Sequence, residues 1–270
     1  MVQQVFCIII FTSLVGSCLH SRSGWADETP ETSRQEVIEA EDRTIAELNA
    51  ELQDALHASL KAFPAINDGD PGAIEQYSKR GDLRMFLGMF SEAESDYRKM
   101  VAIQPSMDSS HWRLGIAMYF AGHPNAAAAQ FDKYHAFDNI DRENGIWRYL
   151  SHREAFGREK AEQQLLKYDK DDRPPFREVY KLFERTMTPA EVLGSVGPDL
   201  SESSRASRLF YAHLYIGLNH AVEGEKAAAL TSLRASTLNS WPRKAGFGPD
   251  YMWHIGRLRY NQLMLDPASR

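Results

Sequence analysis

Apolar and polar positions along the middle of the chain recur with a period of 34 residues. The stretch GDLRMFLGMFSEAESDYRKMVAIQP (81–105) lies on GIAMYFAGHPNAAAAQFDKYHAFDN (115–139), with Gly81 on Gly115, Gly88 on Gly122, Ala93 on Ala127 and Tyr97 on Phe131. Apolar residues three and four apart within each copy predict two helices around a turn. Gly81 and Gly115 fall where those helices cross, and Gly88 and Gly122 where the first helix ends in a left-handed cap. Ala93 and Ala127 let the second helix lie close, and Tyr97 and Phe131 fill the space one turn further on. Pro105 closes the first copy, because proline cannot continue a helix.

A third clear copy follows three periods after Gly115, where HLYIGLNHAVEGEKAAALTSL (213–233) carries Gly217, Gly224, Ala229 and Leu233 at the same four places. Two worn copies lie between. Residues 142–175 keep Ala161 and Leu165 in phase with Gly157 one residue late, and 176–209 keep only the apolar spacing of Val179, Leu182, Phe183, Val192 and Leu193. A fixed period of 34 built from helix–turn–helix units is the signature of tetratricopeptide (TPR) repeats. The expected fold is therefore all-α: a right-handed TPR-type solenoid of three clear and about two degenerate repeats over 73–250, with helices at both flanks.

At the N-terminal flank, Ile45, Leu48, Leu52, Leu56, Leu60 and Phe63 mark one face of a long helix over about 34–62, ended by Pro64. Acidic residues crowd its start, where the helix dipole favours them. The helix is expected to cap the first repeat, with pairing of two subunits as the alternative. Residues 27–36 (DETPETSRQE) read as a polar leader, and NDGDPG (67–72), GSVGPDLSESS (194–204) and SWPRKAGFGPD (240–250) as loops. Residues 251–265 form a last helix, expected to cap the last repeat, with the C-terminal segment running to 270.

The remaining composition changes the picture mainly at the N terminus. The chain has 270 residues, a formal charge of −6 and no basic stripe of the kind that binds nucleic acid. The run VFCIIIFTSLVGSCL (5–19) is short for a membrane span but suits the apolar region of a signal peptide, although a positive segment before it is missing. Two exits are readable and stay open. Gly24-Trp25-Ala26 presents small residues ahead of a cleavage before Asp27, giving a signal peptide of 1–26. Val15-Gly16-Ser17-Cys18 has instead the form of a lipobox, with Cys18 lipidated. An uncleaved anchor is a third reading. Cys7 and Cys18 are the only cysteines, so the chain beyond them has no disulfide and no thiolate site.

No nucleophile elbow, zinc-protease motif, P-loop or dinucleotide-binding glycine pattern occurs. His213 and His220 lie seven apart at packing positions, and are read as core or half-buried histidines rather than as metal ligands. The expectation is a non-enzyme without cofactor or metal. What a TPR array offers is a concave groove lined by its first helices. Here Glu75, Ser78, Asp82, Met85 and Phe86 would line it in the first repeat, and Ser109, Trp112, Ile116, Tyr119 and Phe120 in the second. Met85, Phe86, Trp112, Ile116, Tyr119 and Phe120 are the candidate partner-binding residues, since aromatics dominate interface energetics. The competing reading packs Trp112 and Phe120 against the neighbouring repeat.

The segments RGDLRMFLGMFSEAESDYRKMVAIQP, HWRLGIAMYFAGHPNAAAAQFD, IWRYLSHREAFG and FYAHLYIGLNHAVEGEKAAALTSL resemble bacterial TPR lipoproteins of the NlpI type over most of the mature length. That resemblance implies a homodimeric adaptor of the cell envelope, which brings peptidoglycan hydrolases to partner enzymes and to a processing protease. It transfers no individual binding residue. A small-ligand or glycan-fragment binding module, or an accessory subunit of an envelope enzyme, is the alternative.

Overall fold

The structure is a computed structural model that describes residues 30–170 and 172–266. The export segment, Cys18 and both cleavage points lie outside the described residues. The chain divides into two units, Met1–Ile38 and Glu39–Arg270. Of the first, only the opening turns of helix α1 are described.

Among the described residues the protein is all-α, with twelve α-helices and no strand. They are α1 (Pro30–Lys61), α2 (Ala73–Phe86), α3 (Phe90–Ile103), α4 (Trp112–Phe120), α5 (Pro124–Phe137) and α6 (Arg142–Phe156). There follow α7 (Arg158–Gln163), α8 (Phe176–Phe183), α9 (Pro189–Gly194), α10 (Glu202–Val222), α11 (Lys226–Leu238) and α12 (Phe247–Leu265). Short 3-10 turns precede α4 (Pro105–Ser110) and α12 (Pro242–Lys244). None of the helices is long and apolar enough to cross a membrane, among the described residues.

The three clear copies fold as the hairpins α2–α3, α4–α5 and α10–α11, whose paired helices pack closely. A Cβ added at Gly81 would lie 2.6 Å from the Tyr97 ring, one at Gly115 2.7 Å from Phe131, and one at Gly217 2.6 Å from Leu233. Real Cβ atoms do not approach so closely, so each crossing distance is set by the missing side chain. The first helices end at Gly88, Gly122 and Gly224 with φ of 78°, 81° and 79°. This left-handed backbone disfavours any residue with a Cβ.

The worn copies are helix pairs with shortened second members. Gly157 joins α6 to the six-residue α7 with φ 85°. The crossing glycine of this pair is Gly145, whose Cβ would meet the Tyr168 hydroxyl at 2.5 Å. Its partner therefore comes from the stretch after α7 rather than from a second helix. Tyr168 is held there by donating to the Asp141 carbonyl at 3.0 Å. Between α8 and α9 the left-handed position is taken by Arg185 (φ 60°), and Thr188 and Glu191 form a capping box at the start of α9.

Two flank expectations are corrected. The polar leader expected over 27–36 is helical from Pro30 onward: proline suits the first helical position, and Glu31 follows in the first turn. The last helix begins at Phe247 rather than at 251, and it does more than cover the last hairpin. Every residue from Tyr251 to Leu258 is buried, because α12 packs on α10 and α11 and also reaches α2. Phe86 stacks on His254 with ring centroids 3.8 Å apart, and Tyr251 meets the edges of Phe86 and Trp112 at 5.3 and 5.0 Å.

Arg257, fully buried, anchors this helix without bonding a carboxylate among the described residues. Its guanidinium donates to Asn49 Oδ1 (2.9 Å), to the Phe86 carbonyl (2.6 Å) and to His254 Nδ1 (3.1 Å). Burial lowers its pKa to about 10, so it stays charged at neutral pH. Burial also lowers His254 well below its usual range, leaving the neutral ring as acceptor. The α1 helix is tied in alongside: Asp42 accepts from Arg234 Nε at 2.6 Å and from the Tyr260 hydroxyl, and Asn49 donates to Asn261 at 2.8 Å.

Two outcomes are expected in urea denaturation. Gly115→Ala should cost about 1–3 kcal/mol by overpacking the crossing, whereas Gly194→Ala, which meets nothing within 4 Å, should stay within about 0.5 kcal/mol of wild type. A double-mutant cycle of Asn49→Ala and Arg257→Ala should give a coupling energy of about 0.5–3 kcal/mol. Simple additivity would mean that the pair does not hold α1 to α12.

Candidate functional site

The open concave groove expected on the first helices is not what the chain forms. Met85, Phe86, Ile116 and Tyr119 are all buried, and α12 covers the inner face at Phe86 and Trp112 through the ring contacts above. Ser78 and Asp82 are engaged by Arg113, which donates to them at 3.0 Å and 2.7 Å, and Tyr97 donates to Asp82 at 2.7 Å. Tyr119 donates to Glu154 at 2.7 Å. Phe120 is half-buried against Phe90 at 5.1 Å, so for this residue the packing reading describes the geometry. The physical reason is that apolar rings gain by leaving water, and the chain supplies its own helix to cover them.

What stays open is a cleft of about 660 Å³ next to α12. Trp112 and Ile116 of α4 line one side, and they are the only two of the six candidate residues there. Phe131 and Tyr134 come from α5, Asn144 and Trp147 from α6, and Tyr211 from α10. Trp241 and the first turn of α12, at Gly248, Pro249 and Met252, complete the apolar side. Volume and lining fall in the range of ordinary ligand sites.

The polar side of the cleft was not legible as a site in the sequence. Asp138 enters from the end of α5, Asp141 and Glu143 from the start of α6, and Asp172 and Arg173 from the segment before α8, thirty residues away in the chain. Asp141 caps α6 by accepting from the Glu143 amide at 3.0 Å. Asp172 accepts the Arg142 amide at 3.0 Å. Arg173 then faces three carboxylates: it bonds Glu143, and lies 3.3 Å from Asp172 and 3.6 Å from Asp141. Its guanidinium carbon sits 4.3 Å over the Phe176 ring. Tyr215 donates to the other Glu143 oxygen.

Three acids sharing one guanidinium have a protonation consequence. Burial pushes the Glu143 carboxyl up to about 7, with Arg173 opposing and Asp141 adding to the rise. Asp141 is likewise raised, chiefly by burial, against the pull of Arg173. Two polar atoms in the lining have no hydrogen-bond partner among the described residues, Asn144 Oδ1 and Trp147 Nε1. The set does not amount to a metal site, and no cluster of three or more His, Cys, Asp or Glu suited to a metal occurs among the described residues.

No protein-family model matches the chain, and no curated protein does. Its function must be argued from the cleft itself. The two histidines singled out in the sequence do not join it. His213 is half-buried, and burial lowers its pKa, while His220 pairs with Glu225 at the far end of α10.

The raised Glu143 predicts a pH signature. A carboxyl with an ordinary value of 4.5 and a folded value of about 7 holds its proton more tightly in the folded chain. Its contribution to stability is complete below about 4.5 and is lost as pH rises through 7. Glu143→Gln cannot lose it. Urea titrations between pH 4.5 and 8 should therefore show wild type losing stability relative to the variant as pH rises, and parallel curves would refute the raised value.

Proposed function

We propose that this chain is a TPR-type solenoid acting as a non-catalytic protein-binding scaffold, an adaptor of the bacterial cell envelope that receives a partner segment in the cleft beside α12. The repeat reading is supported by the three glycine crossings, each with its contact residue sixteen positions on and its left-handed glycine seven positions on. The envelope location rests on the signal-like first 26 residues, and the partner classes, peptidoglycan hydrolases or a processing protease, on the NlpI-type resemblance.

The observation that carries the binding reading is the cleft. After α12 has covered the inner face of the first hairpins, an aromatic-walled space of about 660 Å³ remains, lined by Trp112, Tyr211 and Trp241 and by acidic residues. A rigid preformed site of this kind leaves most of the ordering cost to the bound segment. The same volume also suits a small molecule, which makes a small-ligand or glycan-fragment binding module the second reading.

Affinity capture from the source cell, read by mass spectrometry, tests the proposal. Wild type should retain envelope hydrolases or proteases, and Trp112→Ala should lower that retention about tenfold or more, the loss expected for a central aromatic anchor. Phe120→Ala, outside the cleft, should leave it intact. Equal retention by all three proteins would exclude the cleft as the binding surface. An empty wild-type capture would favour the small ligand.

A further inference from the structure

Resting on the cleft as the binding surface, we propose that its occupant is a basic side chain, a lysine ammonium or an arginine guanidinium, projecting from a partner segment and seated between the Asp141–Glu143–Asp172 carboxylates and the Trp112 and Tyr211 rings.

Charge is the first argument. Four carboxylates (Asp138, Asp141, Glu143 and Asp172) line the cleft, and Arg173 is the one Lys or Arg in the lining. Arg173 is already divided among three of them and half exposed. A single guanidinium leaves an excess of negative charge in a partly desolvated space, where Coulomb attraction is stronger than in water. A second cation satisfies that excess, and an anion would add to it.

The orphaned polar atoms are the second, independent argument. Asn144 is 3 % exposed and lines the cleft, and its Nδ2 is spent on the Phe131 carbonyl at 3.3 Å. Its Oδ1 is an acceptor without a donor among the described residues. An ammonium brings three donors and no acceptor, which matches a site of carboxylates plus a spare amide oxygen. Trp147 Nε1, 2 % exposed as a residue, is a buried donor of this wall that also lacks a partner among the described residues. It calls for a carbonyl, which a peptide backbone carries and a simple amine lacks. Trp112, Tyr211 and Trp241 line the same cleft, and aromatic walls attract ammonium and guanidinium groups through cation–π interaction.

The test titrates the protein at pH 8 with four probes: acetyl-Ala-Lys-Ala-amide, its norleucine isostere, its glutamate counterpart, and butylamine. The readout is the indole N–H resonances of Trp112, Trp147 and Trp241. The lysine peptide should shift them saturably and bind about tenfold more tightly than the norleucine peptide, a difference of about 1.4 kcal/mol. Asp172→Asn and Glu143→Gln, each checked for fold by circular dichroism, should each weaken it severalfold while leaving norleucine binding unchanged. Equal affinity for lysine and norleucine, or tighter binding of glutamate, would overturn the cation and leave a binding cleft of other chemistry. Butylamine matching the lysine peptide would overturn the partner segment as its source. Silence from all four probes would overturn the proposal, and the scaffold reading would then stand or fall separately on the Trp112-dependent capture.

Discussion

The inner face of the first two hairpins must be kept from water, and everything distinctive about this protein depends on how that is done. A helical hairpin buries its apolar face only against neighbours. Here Phe86, Tyr97 and Trp112 on that face are met by Tyr251 and His254 of α12. Among the described residues Arg257 bonds no carboxylate, and its charge is compensated by an asparagine oxygen, a carbonyl and a neutral imidazole. A buried guanidinium so arranged tolerates little displacement of α12, and the neighbouring cleft inherits that rigidity because Gly248, Pro249 and Met252 form part of its wall.

The repeat unit was legible because its rules are local. A glycine facing Tyr97, Phe131 or Leu233 across a crossing, followed by a glycine at positive φ, leaves a mark in one window of sequence. The worn copy escaped this logic at Gly145, which has a crossing role but the wrong spacing, since its partner Tyr168 lies beyond a truncated helix. The course of α12 was not legible either. Periodicity shows that 251–265 is helical, but a helix buried on all sides in its middle carries no stripe to say which neighbours it meets. Its eight consecutive buried residues include the polar His254 and Arg257, side chains whose burial no apolar pattern marks.

The candidate site divides in the same way. Trp112 and Ile116 could be named from repeat position alone, and they do line the cleft. Met85, Phe86 and Tyr119 are buried like Ile116 yet lie off the cleft, so position within a repeat indicates direction toward the inner face and not which residues border the open space. The acidic floor had no local signal. Asp141 and Glu143 stand in no pattern that marks a site, and Asp172 and Arg173 lie thirty residues further along the chain. They become one electrostatic unit only when the segment before α8 folds back beside α6.

Tyr260 reaches Asp42 across 218 positions of sequence, and Arg257 reaches Asn49 across 208. An open array of repeats unfolds by fraying from its ends, because each unit depends only on the next. Joining the first helix to the last removes those free ends. Loss of α12 exposes the inner face of the first hairpins and frees α1 of its partners at Arg257 and Tyr260, so the described fold should melt as a single cooperative unit. The same long-range contacts also cost loop-closure entropy, which makes its folding slower than local helical contacts alone would allow.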